Sequence, residues 1–100
     1  MFNHIVMFWW KSGATAQEVA AVSAGLSSLP DQISEIRRYE HGSDLGIGTG
    51  AANADYVLLA EFDSSESWRI YAEHPAHVAV IETSIKPIVD KIERIQFEIT

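Results

Sequence analysis

The sequence predicts one α+β domain over residues 1–100: a split βαβ arrangement with a four-stranded antiparallel sheet and all helices on one face. Three observations carry this. Segments of strand and helix character follow one another in the order β-α-β-β-α-α-β. Right-handed crossovers place every helix of such a pattern on the same side of its sheet. The first and third strands are apolar on both parities, so both faces of the sheet must be covered.

The first strand is expected over residues 3–10, with Ile5, Met7 and Trp9 on one face and His4, Val6, Phe8 and Trp10 on the other. Lys11-Ser12-Gly13 breaks it. Thr15 then opens a helix, and Glu18 three residues later completes a capping box. Val19, Val22, Leu26 and Leu29 recur at helical spacing, and Pro30 ends the helix. A second strand is expected at 35–41, polar over much of its length and therefore nearer an edge. Residues 42–54 hold four of the six glycines and read as a long loop before a third strand at 55–63.

Asp63 and Glu66 resemble a second capping box, opening a short helix that carries Trp68, Ile70 and Tyr71. His74-Pro75 interrupts it, and Pro75 suits the first position of a new helix. Val78, Ile81, Ile85 and Ile88 form the expected stripe of that helix, with Pro87 kinking it or shifting its end. The last strand, 92–99, alternates Ile95, Phe97 and Ile99 against Arg94, Gln96 and Glu98. Because the helices can shield only one face, the exposed apolar face calls for a second copy of the chain, and two-fold oligomers are the commonest solution. A homodimer joined through the sheet face and approaching a barrel is the expectation.

Composition narrows the function. Fourteen acids against seven dispersed bases give a formal charge of −7, which repels phosphate backbones and anionic membranes. No nucleic-acid or membrane partner is expected. There is no cysteine, hence no disulfide, thiolate metal site or cysteine nucleophile. The N-terminal apolar run is too short to span a bilayer and lacks a basic segment and a cleavage site, so a cytoplasmic protein is expected. Gly46-x-Gly48-x-Gly50 lies between strands and lacks Gly-Lys-Ser/Thr, so it reads as loop and not as a phosphate cradle. His4, His74 and His77 are accompanied by no His-Glu-x-x-His pattern or acidic cluster, so no metal and no cofactor are expected.

Four segments carry a family resemblance: His4-Ile5-Val6-Met7-Phe8, Tyr56-Val57-Leu58-Leu59-Ala60-Glu61-Phe62, Tyr71-x-x-His74-Pro75-x-His77 and Gln96-Phe97-Glu98. Together they resemble the stress-response A/B barrel (Dabb, dimeric α+β barrel) family across essentially the whole chain. The resemblance implies a ferredoxin-like protomer and a dimer, but no single function. Family members include stress-accumulating proteins without assigned chemistry and plant polyketide cyclases that close a ring by a cofactor-free aldol reaction. Related barrels include cofactor-independent oxygenases.

His77 is the first candidate for chemistry. Near the third position of a helix its imidazolium is disfavoured, and a neutral imidazole is a general base. The alternative is that His77 bonds backbone and locks the helix break. Tyr71 precedes it by about two turns and is placed to orient it; in the cyclases the resemblance assigns this work to the matching tyrosine and histidine. His74 caps or packs at the boundary, or contacts substrate. The resemblance places His4 in a ligand cavity, together with Val6 and Phe8 of the same parity. Tyr56 is a packed aromatic or a pocket donor. The cyclases carry a tyrosine on the first helix, where this chain has Leu26, so the resemblance extends further to a buried cavity than to that one reaction. Two functions follow. One is a small dimeric barrel without assigned chemistry, stress-related, holding a small apolar or aromatic ligand. The other is a cofactor-free enzyme, cyclase-like or oxygenase, with His77 as base.

Overall fold

The computed structural model describes residues 1–49 and 52–99. Its elements are β1 (Phe2–Trp10), α1 (Ala16–Ser27), β2 (Arg38–Ser43), β3 (Tyr56–Phe62), α2 (Ser65–Glu73), α3 (Pro75–Val80) continued by a π-helical turn (Ile81–Ile85), and β4 (Val89–Glu98). The four strands form one sheet in the order β2-β3-β1-β4, every pair antiparallel. That is the expected split βαβ topology, with β1 inside the sheet and β4 at its edge.

Register decides which side chains share a face. Across β1 and β3, Val6 pairs with Leu58 and Phe8 with Tyr56. Across β1 and β4, His4 pairs with Gln96, Val6 with Arg94 and Phe8 with Ile92. The even side of β1 and β3 packs beneath the helices, where Val22, Leu26, Leu29, Ile33, Phe62 and Tyr71 are fully buried. The other side carries Ile5, Met7, Val57, Leu59, Ile95 and Phe97. None of the helices covers it, and Ile95 is 58% exposed, Phe97 44% and Val57 41%. On β4, therefore, the apolar parity lies on the open face and the polar parity on the helix side.

Several boundaries differ from expectation for local reasons. β2 starts at Arg38 and not at 35, because Leu29 and Ile33 carbonyls accept from Ile33 and Ile36 and keep that stretch turned. β2 continues to Ser43, and Asp44 N–H donates to the Asp55 carbonyl, so the loop is shorter than residues 42–54. Gly46 and Gly48 take positive φ within it (71° and 127°), while Gly50 lies outside the described residues. The Thr15–Glu18 capping box is present, with bonds of 3.1 and 2.9 Å. The second box is not. Ser64 caps α2 by accepting from Ser67 N–H, and Asp63 pairs with Arg37 at 2.8 Å instead.

The stripe of the last helix differs from expectation at one position, Val78. Val78 is exposed, while Ala76, Val80, Ile81 and Ile85 pack inward. Lys86 N–H reaches back five residues to the Ile81 carbonyl, so the helix ends in a π turn after Val80. No helix among the described residues is long and apolar enough to cross a membrane.

Phe62 packs edge-on to Phe2 and tilted against Tyr71, with ring centroids 6.4 and 5.0 Å away. Phe62→Ala should cost about 3–5 kcal/mol of folding free energy, and Phe62→Leu distinctly less, in urea unfolding of the two variants.

Candidate functional site

Between the helix-side face of β1 and the α2–α3 region lies a cavity of about 300 Å³. His4, Val6 and Phe8 of β1 form its floor with Leu58 of β3. Ile92 and Arg94 of β4 form one wall, and Leu26, Trp68, Tyr71, Ala72, His77, Ile81 and Ile85 form the helical side. Five of the residues singled out in the sequence thus meet in one space: His4, Val6, Phe8, Tyr71 and His77.

The α2–α3 break positions the last two. The residue before proline is driven to extended backbone, and His74 has φ −63° and ψ 134°. Its Nδ1 accepts from Ala76 N–H at 3.0 Å, capping α3. The break also ends α2, leaving the Ala72 carbonyl among its unpaired last-turn acceptors. His77 Nδ1 donates to that carbonyl at 3.0 Å. A carbonyl only accepts, so the His77 proton sits on Nδ1 and Nε2 keeps its lone pair. The Tyr71 and His77 rings lie 4.2 Å apart. Burial holds the His77 pKa below that of a free imidazole.

His4 is set in the opposite sense. Gln96 Nε2 donates to His4 Nδ1 at 3.0 Å, and an amide NH₂ only donates, so the His4 proton is on Nε2. Burial, and secondarily the Arg94 charge, lowers the His4 pKa to about 4. The cavity accordingly holds one imidazole that offers a lone pair and one that offers an N–H, both uncharged at neutral pH.

Tyr71 lines the cavity without bonding His77, and the two remaining candidates, Tyr56 and His74, lie apart from it. The Tyr71 hydroxyl bonds the Tyr39 hydroxyl at 2.7 Å and not His77, and burial pushes the Tyr71 pKa up to about 12 and that of Tyr39 higher still. Tyr56 is outside the lining; its hydroxyl shares a 2.6 Å bond with His41 Nδ1, whose other nitrogen meets Ser27 Oγ. His74 is likewise outside it, engaged as a helix cap. Trp68, Arg94 and Tyr39 were not singled out in the sequence as site residues. Trp68 is legible in hindsight, being one helical turn before Tyr71 and Ala72, whereas Tyr39 and Arg94 enter only through strand register. Among the described residues no group of three or more His, Cys, Asp or Glu side chains is arranged to hold a metal ion.

The sequence model of the stress responsive A/B barrel domain matches residues 2–99. The chain belongs to this family. Over 94 residues it is 32% identical to a stress-response A/B barrel domain-containing protein of Arabidopsis thaliana, spanning 92% of this chain and 34% of that protein's length. A dimeric ferredoxin-like protein of unknown function from Thermobifida fusca superposes with a TM-score of 0.88 at 34% identity, covering 98% of this chain and 90% of that one. Hydroxynitrile lyase from Passiflora edulis shares the fold, with a TM-score of 0.86 at 20% identity over 99% and 93% of the two chains. The A/B barrel domain described here is thus ferredoxin-like, with its cavity between the sheet and the α2–α3 break.

The depressed His4 pKa has a definite sign for stability. The unfolded chain takes up a proton near pH 6.5 that the folded domain refuses until about pH 4. Folding stability should therefore fall as the pH drops through that window, with His77 contributing in the same direction. In thermal melts from pH 7 to pH 4.5, His4→Gln should lose part of that slope.

Proposed function

We propose that this A/B barrel domain works as a homodimer whose two sheets pack through their open faces. Each protomer then binds a small apolar or aromatic molecule in its own cavity and moves a proton on it without a cofactor. The observation that carries this reading is the tautomer of His77: Nδ1 is committed to the Ala72 carbonyl, so Nε2 is a ready general base beside an apolar cavity. His4 Nε2–H supplies a neutral donor for an oxygen that gains charge as the proton leaves. Tyr71, tied to Tyr39, holds the His77 ring by packing and acts as a positioning residue. The uncovered Ile5, Met7, Val57, Leu59, Ile95 and Phe97 support the dimer, since a patch of that extent on a lone domain invites association. The dimeric Thermobifida fusca relative supports the same assembly. A stress-related role is the family description's contribution to the proposal.

The chemistry is tested by exchange of the acidic α-protons of phenylacetone in D₂O, followed by NMR. Wild-type protein should catalyse exchange, and His77→Ala should lower the rate by about a hundredfold or more, the usual scale for a positioned base. Exchange equal in the two proteins would overturn the base assignment. The assembly is tested by sedimentation velocity. Wild type should run as a dimer and Val57→Glu/Ile95→Lys as a folded monomer; a monomeric wild type at micromolar concentration would overturn it.

A further inference from the structure

We propose that Arg94 makes one wall of the cavity an anion site, so that the ligand is a small aromatic or apolar acid whose carboxylate meets the guanidinium while its body lies over β1. The proposal rests on the ligand-cavity reading above and names the class of molecule that the cavity takes.

Among the described residues, two of the four arginines are paired and two, Arg69 and Arg94, are not, and of these two Arg94 lines the cavity. Arg37 is paired with Asp63, and Arg38 with Glu40 and Glu61. Two lysines are also engaged, Lys86 with Glu82 and Lys91 with Glu93. Among the described residues Arg94 has no carboxylate within 4 Å and makes no side-chain hydrogen bond, although it carries five N–H donors. Its surroundings explain why. It stands opposite Val6 on the helix side of β4, beside Ile92, and no Asp or Glu lines the cavity. Glu98, an acid of the same strand parity, lies toward the N-terminal ammonium of Met1 at 3.5 Å.

A second donor in the same cavity is also unanswered. Trp68 Nε1–H is buried and has no partner, the one such side-chain atom among the described residues. A buried donor without an acceptor is costly, and native structures rarely retain one without a reason. The space thus combines an apolar floor with an unpaired guanidinium at its edge, and no acidic side chain of the lining answers that charge. The overall charge of −7 slows the approach of an anion, but that field is screened within about 8 Å at physiological salt, whereas contact with Arg94 is local.

The test compares trans-cinnamate with trans-cinnamamide, two molecules of nearly the same shape that differ in charge. Binding to the intact chain is followed through the Trp68 indole ¹H–¹⁵N resonance, assigned with Trp68→Phe. Cinnamate should bind about tenfold more tightly than the amide, the scale of one charge-assisted hydrogen bond at a partly exposed site. Arg94→Gln should bring the ratio of cinnamate to cinnamamide affinity down to about one, and Arg94→Lys should keep part of the preference. Equal binding of the two probes, unaltered by Arg94→Gln, would overturn the anion site and leave the cavity reading standing. If neither probe moves the Trp68 signal, both readings fall. A cinnamate preference that survives Arg94→Gln in a folded variant would assign the anion to another site and likewise overturn the proposal.

Discussion

The structure depends on the two-sided pairing of β1. Hydrogen-bonded to β3 on one edge and β4 on the other, this strand imposes its alternation on both neighbours. Whatever stands opposite Val6 must point to the helix side, and whatever stands opposite Ile5 must point to the open face. A slip of one residue would exchange the two sets and bury Arg94's neighbours on the wrong layer. The antiparallel ladder therefore determines three things together: the core beneath the helices, the apolar open face and the polar wall of the cavity. Trp9, on the open-face parity of the same strand, holds Lys91 over its ring at 4.7 Å, so part of that face carries charge as well as hydrocarbon.

A short stretch of backbone supplies the chemistry. Pro75 forces His74 out of helical geometry, and this one interruption has three results: it caps α3 through His74, leaves the Ala72 carbonyl without a helical partner and brings His77 within reach of it. The orphan carbonyl is satisfied by an imidazole proton, and that bond selects the tautomer in which the other nitrogen is basic. Across the cavity, Gln96 selects the opposite tautomer for His4. Both histidines stay neutral because the surrounding apolar residues disfavour charge. Polarity in this cavity is created by hydrogen-bond direction and not by ionisation, except at Arg94 on its margin. The π-helical turn at Ile81–Ile85 borders the same space with Ile81 and Ile85, and Val80 before it approaches α1 at Gly25: a Cβ there would lie 3.0 Å from Val80 Cγ1.

Much of this was legible from the chain alone. The two apolar parities of residues 3–10 and 55–63, the capping box at Thr15, the stripe of Val22, Leu26 and Leu29, and the break at His74-Pro75 are local patterns, readable because strand and helix periods are fixed by backbone geometry. Together with short right-handed connections they determined the layer order of a ferredoxin-like domain, and the same short motifs resembled the family to which it belongs. What only the tertiary structure decided were matters of register and direction. Sequence spacing cannot say that Arg94 faces Val6, that Tyr71 turns its hydroxyl to Tyr39, that Tyr56 bonds His41 outside the cavity, or that Val78 lies at the surface. Most of those relations join residues distant in the chain, and only packing the sheet against its helices selects among the alternatives that local patterns allow.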